Sequence, residues 1–203
     1  MNRRLGEFQL LRRLAVGGMS EVYLARRVNA APDDPLIVIK LLLPQVAQDP
    51  TFADMFADEA RLAEQLDHPN LVHVIAWGEI SGEHFLALEY VDGCSLAELL
   101  AHRRETGKAP LTPEIALGIT ESLLTGLGYL HELSDAGGHA VEAVHRDVTP
   151  GNVLLSRHGD LKLADFGIAR HRLRKSRTKT GIVKGTLQYM APEQIADDHI
   201  DRR

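Results

Sequence analysis

Apolar positions follow two different rhythms along the chain. As far as Tyr90 they gather mostly in short runs of strand length, broken by a single stretch at helical spacing. Phe8–Leu14 and Glu21–Arg27 are apolar-rich runs on either side of Gly17-Gly18, the pattern of a hairpin. Leu36-Ile37-Val38-Ile39 runs unbroken into one charge at Lys40 and reads as a strand. Over residues 51–66, Phe52, Met55, Phe56, Leu62 and Leu66 recur at helical spacing among acids and bases, and Pro69 marks the exit from that helix. Leu71–Trp77 and His84–Tyr90 read as two further strands joined by a turn at Ser81-Gly82.

Beyond Tyr90 the rhythm turns helical. Ser95 caps a helix to Arg104, with Glu98 as its capping-box partner. Thr112 and Pro113 open a longer helix to about Leu133, the threonine as N-cap and the proline at the first helical position. Gly137-Gly138 ends that region, short strand-like pieces follow, and Arg170 to Lys184 forms a basic loop. There is no internal repeat and no low-complexity linker. The pattern predicts an α+β chain: a small sheet-rich lobe with one helix, then a larger, mainly helical lobe.

Composition narrows the setting. The chain has 203 residues, 44% hydrophobic and 25% charged, enough apolar material for a packed core. A formal net charge of -5 gives no basis for nucleic acid or an anionic membrane as partner. One cysteine, Cys94, cannot form an internal disulfide, which fits a reducing, cytoplasmic setting. Glu7, Gln9, Arg12 and Arg13 interrupt the apolar run that a signal peptide needs, and no run reaches the roughly 18 apolar residues of a membrane span.

The chemistry is concentrated in His145-Arg146-Asp147-Val148-Thr149-Pro150-Gly151-Asn152, followed by Asp165-Phe166-Gly167. These segments resemble the catalytic loop and the Asp-Phe-Gly motif of the protein kinase family, whose phosphoryl transfer needs an acceptor for a hydroxyl proton and oxygen ligands that hold a metal on the phosphates. Asp147 suits the first role; Asn152 and Asp165 carry the hard oxygens that magnesium prefers. With Lys40, Glu59 and Gly185-Thr186-Leu187-Gln188-Tyr189-Met190-Ala191-Pro192-Glu193 in that order, the sequence resembles the protein kinase family, over residues 8–195. Thr186 after Gly185, and Pro150 after Thr149, resemble the serine/threonine branch, in a style similar to bacterial members.

The resemblance implies a bilobal kinase-like fold over residues 1–203. Residues 8–91 would form the small antiparallel-sheet lobe with its hinge, and 92–203 a partial large lobe ending just past Ala191-Pro192-Glu193. It implies transfer of the ATP γ-phosphate to serine or threonine hydroxyls of proteins, with magnesium, or alternatively manganese. Asp147 would be the base, Asn152 and Asp165 the metal ligands, and Lys40 the phosphate contact with Glu59 as its ion-pair partner. Leu14, Ala15, Gly17, Gly18, Ser20 and Val22 would cover the nucleotide. Val38 and Leu154 would flank the adenine, Glu89 to Val91 would form the hinge, and Leu88 would guard the pocket behind it. His145, Phe166, Val74 and Ala63 would form an internal apolar column, in which the small Ala63 would loosen the helix bearing Glu59.

Two departures bear on activity. The glycine loop reads Ala15-Val16-Gly17-Gly18-Met19-Ser20, keeping one of the family's three glycines as Gly17. Thr149 stands where serine/threonine members carry a lysine, so a hydrogen-bond donor replaces a positive charge and a slower enzyme is expected. In the basic loop, Thr178 and Thr180, ahead of Ser176, are the expected phosphorylation sites, with Arg146 as the phosphate's partner. The chain stops at Ile200-Asp201-Arg202-Arg203, about where a buried helix of the family would begin, and Glu193 would pair with a later arginine. The alternatives to an active kinase are a nucleotide-binding pseudokinase that regulates a partner and a fragment inactive by itself.

Overall fold

Six apolar runs pair into one antiparallel sheet: β1 (Arg3–Leu5), β2 (Phe8–Val16), β3 (Ser20–Arg27), β4 (Ile37–Leu42), β5 (Val74–Ile80) and β6 (Glu83–Glu89), in the order β1-β2-β3-β4-β6-β5. The structure is a computed structural model and describes residues 3–134, 137–141, 143–165, 187–196 and 200–202. These fall into two compact units, the first built from the chain up to Asp67 together with His73–Tyr90, the second from His68–Val72 together with the chain from Val91 onward.

In the first unit the two-residue period of the strands sorts the side chains. Tyr23, Ala25, Ile37, Ile39, Leu41, Phe85 and Ala87 fall on one face and, with Leu5, Phe8 and Leu10, form a buried cluster. The rings of Phe8 and Phe85 meet at 5.5 Å between centroids, tilted by 57°. Each large side chain buried this way contributes about 1.5–3 kcal/mol before entropy is counted. Val22, Val38, Lys40, Leu86 and Leu88 carry the opposite parity, and the register aligns Val22 with Lys40 and Lys40 with Leu86. Two helices follow β4, α1 (Pro44–Ala47) and α2 (Pro50–Glu64). Asp49 caps α2 by accepting from the Thr51 amide at 3.0 Å, and Pro50 takes the first helical position, where no amide proton is needed.

The expected strand Leu71–Trp77 lies instead at Val74–Ile80, for a clear reason. The Val72 amide donates to the Leu163 carbonyl at 3.0 Å and Leu71 bridges to Leu163, so both are drawn into the second unit. β4 runs past Lys40 to Leu42 because Ser20 and Glu21 give Leu42 and Leu41 strand partners. The three-residue β1 and four-residue α1 are too short to set up a period and were not anticipated.

The second unit holds a three-stranded antiparallel sheet, β7 (Gly93–Ser95), β8 (Val153–Ser156) and β9 (Leu161–Leu163), with helices α3 (Leu96–Glu105), α4 (Pro113–His131) and α5 (Pro192–Ala196). Gly93 is needed for close approach: a Cβ there would sit 1.8 Å from the Leu155 carbonyl oxygen. Ser95 and Glu98 complete the expected capping box on α3, and Thr112 accepts from the Ile115 amide to start α4. α4 packs on β9, and Gly126 lets it approach Asn70 and Leu71, where an added Cβ would stand 3.1–3.3 Å from its neighbours. No helix among the described residues is long and apolar enough to cross a membrane.

Candidate active site

The first unit supplies a lysine and an acid. Strand alternation on β4 puts Lys40 on the sheet face opposite the buried cluster, and α2 presents Glu59 on its buried side with Met55, Phe56, Ala60 and Ala63. Glu59 is 7% exposed, and a carboxylate so buried needs a cationic partner. Lys40 Nζ stands 3.5 Å from Glu59 Oε1, at the long end of hydrogen-bonding range.

The turn between β2 and β3 carries the candidate nucleotide-covering residues. Leu14, Ala15, Gly17 and Gly18 are exposed, Ser20 and Val22 are half-buried on β3, and the Gly17 amide donates to the Ser20 carbonyl at 2.8 Å. Neither Gly17 nor Gly18 adopts a left-handed backbone, and a Cβ on Gly17 would only touch the Ser20 oxygen at 3.4 Å. The turn therefore keeps its shape without the family's other two glycines. Val38 aligns with Leu88. Glu89 ends β6 with its own carboxylate occupied, accepting from the His73 amide at 2.8 Å while its amide donates to the His73 carbonyl at 3.0 Å. Val91 and Leu154 belong to the second unit, where Leu154 on β8 aligns with Ser95 and Lys162.

The second unit supplies the loop from His145 to Asn152. His145 is 1% and Asp147 4% exposed, and the Asp147 amide lies 3.4 Å from His145 Nδ1. Asn152 binds Asp147 twice, Nδ2 donating to its Oδ2 at 2.7 Å and to its carbonyl at 2.8 Å. The Asn152 amide donates to the Thr149 carbonyl at 2.9 Å, closing the loop as a turn in which Thr149 and Pro150 are half-buried. The β8–β9 pairing then brings Asp165 close: Val153 aligns with Leu163, and the Ala164 amide donates to the Asn152 carbonyl at 2.8 Å. Arg146 and Asp165 both have positive φ, 62° and 58°, conformations that cost non-glycine residues energy and gather at functional sites.

Two positioning side chains carried no recognised signal. Asn70 Nδ2 donates to the Leu161 carbonyl at 3.0 Å and its own carbonyl accepts from the Leu163 amide at 2.8 Å, holding both ends of β9. Gln194 Nε2 donates to the Arg146 carbonyl at 2.8 Å, steadying that strained residue. The available clue was the asparagine at a proline turn, since asparagine side chains there often bond to backbone. The loop also borders a cavity of about 270 Å³ shared with His131, Arg146, Tyr189, Gln194 and Arg202. Burial lowers the pKa of the Arg146 guanidinium, and burial with the nearby charge of Arg202 lowers that of His131.

Asn152 and Asp165 fit a magnesium-type donor set. The Asn152 amide nitrogen is spent on Asp147, which leaves its side-chain oxygen as the available donor, and Asp165 directly follows Ala164, whose amide bonds to the Asn152 backbone carbonyl. No group of three or more His, Cys, Asp or Glu among the described residues is arranged to hold a metal. Phe166, Gly167, the basic run from Arg170 to Lys184 with Ser176, Thr178 and Thr180, and Gly185-Thr186 lie outside the described residues.

The sequence profile described as the protein kinase domain matches residues 8–203. The chain is 39% identical over 199 residues to a protein named tyrosine-protein kinase MasK from Myxococcus xanthus, covering 98% of this chain and 30% of that one. It is 35% identical to the serine/threonine-protein kinase PrkC of Bacillus subtilis, covering 93% of this chain and 27% of PrkC. The chain thus spans less than a third of the length of either relative. Among solved structures, the kinase domain of PknI from Mycobacterium tuberculosis superposes with a TM-score of 0.71 at 28% identity, over 98% of this chain and 69% of that one.

Proposed function

This chain belongs to the protein kinase domain family, and on that premise we propose that it transfers the γ-phosphate of ATP to serine and threonine hydroxyls of protein substrates. The observation that carries the reading is the pair of hydrogen bonds from Asn152 Nδ2 to Asp147, one to its carboxylate and one to its backbone carbonyl, which orient a buried carboxylate as a general base. In the proposed step the Asp147 carboxylate takes the proton as the substrate oxygen bonds to the γ-phosphorus. The bond from that phosphorus to the β–γ bridging oxygen breaks, and ADP leaves with its electron pair. Lys40, oriented by Glu59, holds ATP phosphate oxygens. A divalent cation, magnesium foremost and manganese as an alternative, would be held by Asn152 and Asp165 and would neutralise phosphate charge. Thr149 would offer the transferring phosphate a neutral hydroxyl donor in place of a cation.

Val22, Val38, Leu88 and Leu154 supply apolar contacts for adenine, the backbone of Glu89 to Val91 its hydrogen bonds, and the Leu14–Ser20 turn covers the phosphates. Transfer of radiolabelled phosphate from ATP to a protein substrate, compared between the wild type and Asp147→Asn, tests the assignment. Turnover should fall by roughly 10²–10⁴-fold while ATP still binds. Equal turnover in the two proteins rejects Asp147 as base, and turnover indifferent to chelation of divalent ions rejects the metal.

A second reading is phosphorylation of tyrosine, favoured by the name and 39% identity of MasK. Phosphoamino-acid analysis of the labelled product separates the two: phosphoserine and phosphothreonine support the first, and phosphotyrosine alone replaces it.

A further inference from the structure

The helix that carries Glu59 is thinly packed over its second half. Its larger buried residues, Met55 and Phe56, lie before Glu59; after it Ala60 and Ala63 are buried, Leu62 is half-buried, and the next large enclosed side chain, Leu66, lies past the helix end. The Lys40–Glu59 distance of 3.5 Å has little slack. A roll of α2 by about 10° would carry a side-chain tip at a radius of roughly 5–6 Å through about 1 Å, enough to part the pair. With small residues on the buried side after Glu59, a contact on the flank of the helix bears on that roll.

On the flank of α2, two polar residues converge on one aromatic side chain of β5, and a third holds one of them. Trp77 Nε1 donates to Glu64 Oε2 at 2.8 Å. The Arg61 guanidinium carbon lies 5.3 Å from the centre of the Trp77 ring, within cation–π range. Arg61 is held in turn by Asp58, Nη1 to Oδ1 at 2.8 Å. Asp58, Arg61 and Glu64 follow at intervals of three, so they line one side of the helix beside its buried face. The half-buried indole grips that side at two points about one turn apart, by its edge and by its face.

We propose that Trp77 is a positioning residue: through Glu64 and Arg61 it clamps the roll of α2, and so keeps the Glu59 carboxylate within reach of Lys40. It offsets the loosening that small Ala60 and Ala63 would otherwise allow. The inference deepens the kinase reading, in which Lys40 holds the phosphates, and its role in turnover rests on that reading. The clamp itself does not.

The test follows acylation of Lys40 by an amine-directed ester, measured by peptide mass spectrometry on the 203-residue chain. A lysine ammonium held by a carboxylate acylates more slowly than an unheld one. Trp77→Phe keeps the ring but loses the N–H, and Glu64→Leu loses the acceptor; each should raise the Lys40 rate roughly threefold to tenfold, the range set by one hydrogen bond. Glu64→Gln keeps an acceptor oxygen and should stay within about twofold of wild type. Labelling of Lys162, on β9 of the second unit, should not change, and if Trp77→Phe fails that check for folding, Glu64→Leu decides. Trp77 is the sole tryptophan, so its emission maximum should move in Glu64→Leu and hold in Glu64→Gln. An unchanged Lys40 rate in Trp77→Phe and Glu64→Leu overturns the clamp. Wild-type phosphotransfer no greater than a blank without protein, with Lys40 labelling altered as expected, overturns the kinase reading and leaves the clamp standing.

Discussion

Lys40 and Glu59 come from a strand and a separate helix, and they meet only because that helix packs on the sheet unit. Asp147 and Asn152 share one short loop and are tied together by hydrogen bonds inside it. The first pair depends on apolar packing that involves much of its unit; the second depends on local backbone geometry. Burial follows the same division. In the sheet unit the apolar strand residues are mostly enclosed, whereas the 19-residue α4 buries only Gly126 and Leu130 and leaves Ile115, Leu117 and Leu124 exposed. Perturbing the sheet core should therefore act on the Lys40–Glu59 pair, and perturbing the loop should act on Asp147 without unfolding the sheet.

The largest effect expected is on stability. Phe8→Ala removes a side chain that is 1% exposed and packed on Phe85, at a cost of about 3–5 kcal/mol. Urea unfolding should show a lower midpoint with an unchanged slope. A loss below about 1 kcal/mol would mean that the sheet core relaxes freely, and the contrast between the units would lose its basis.

Asn152→Ala should reverse the balance. It removes both hydrogen bonds that orient Asp147, together with a candidate metal donor, and should lower phosphotransfer roughly 10²-fold. Stability should fall by about 1–3 kcal/mol, less than for Phe8→Ala. The measurements are initial rates across a magnesium titration and the same urea curve. Rates restored in full by excess magnesium would assign the loss to the metal alone, with no orienting role for the amide.

The two pairs also differed in how far the sequence revealed them. Periodicity located the strand and the helix, but by itself it reads Lys40 as a surface lysine ending a strand and Glu59 as a solvated helix charge; their pairing came from the resemblance to the family's ordered motifs. The loop was found through residue identity, since no periodicity marks His145 to Asn152. What escaped was nonlocal. β5 starts three residues later than expected because Leu71 and Val72 bond to β9 across a long stretch of sequence. The side chain of Asn70 bonds to Leu161 across a separation of 91 residues, and Gln194 to Arg146 across 48. Such partners are set by tertiary packing, and no local propensity encodes them. The small Ala63 pointed to a looser helix, but the bond from Trp77 to Glu64 that bears on it joins two different elements.

A smaller effect is expected from pH in the helical unit. Burial and Arg202 lower the pKa of His131 below its ordinary value of 6.5, so the folded chain binds this proton less readily than the unfolded one. Stability from this group is complete above pH 6.5 and declines as the pH drops below that value toward the lowered folded pKa. His131→Gln should flatten that part of a stability-against-pH curve and leave the alkaline side unchanged. A slope identical in the variant would assign the pH dependence to other groups.

The smallest effect tests the exposed face of α4 directly. Leu124 is 63% exposed, and leucine and glutamine have similar helix propensities. With no packing to lose, Leu124→Gln should change stability by no more than about 0.5 kcal/mol, as at most surface positions. The paired substitution at Leu117, 69% exposed, should behave the same way and add independently. The comparison sharpens because Phe8→Ala and Leu124→Gln both remove apolar surface from an ordered element and differ chiefly in whether that surface is enclosed. Should Leu124→Gln cost more than about 1 kcal/mol, the face would be covered in solution, and the helical unit would depend on apolar packing as the sheet unit does.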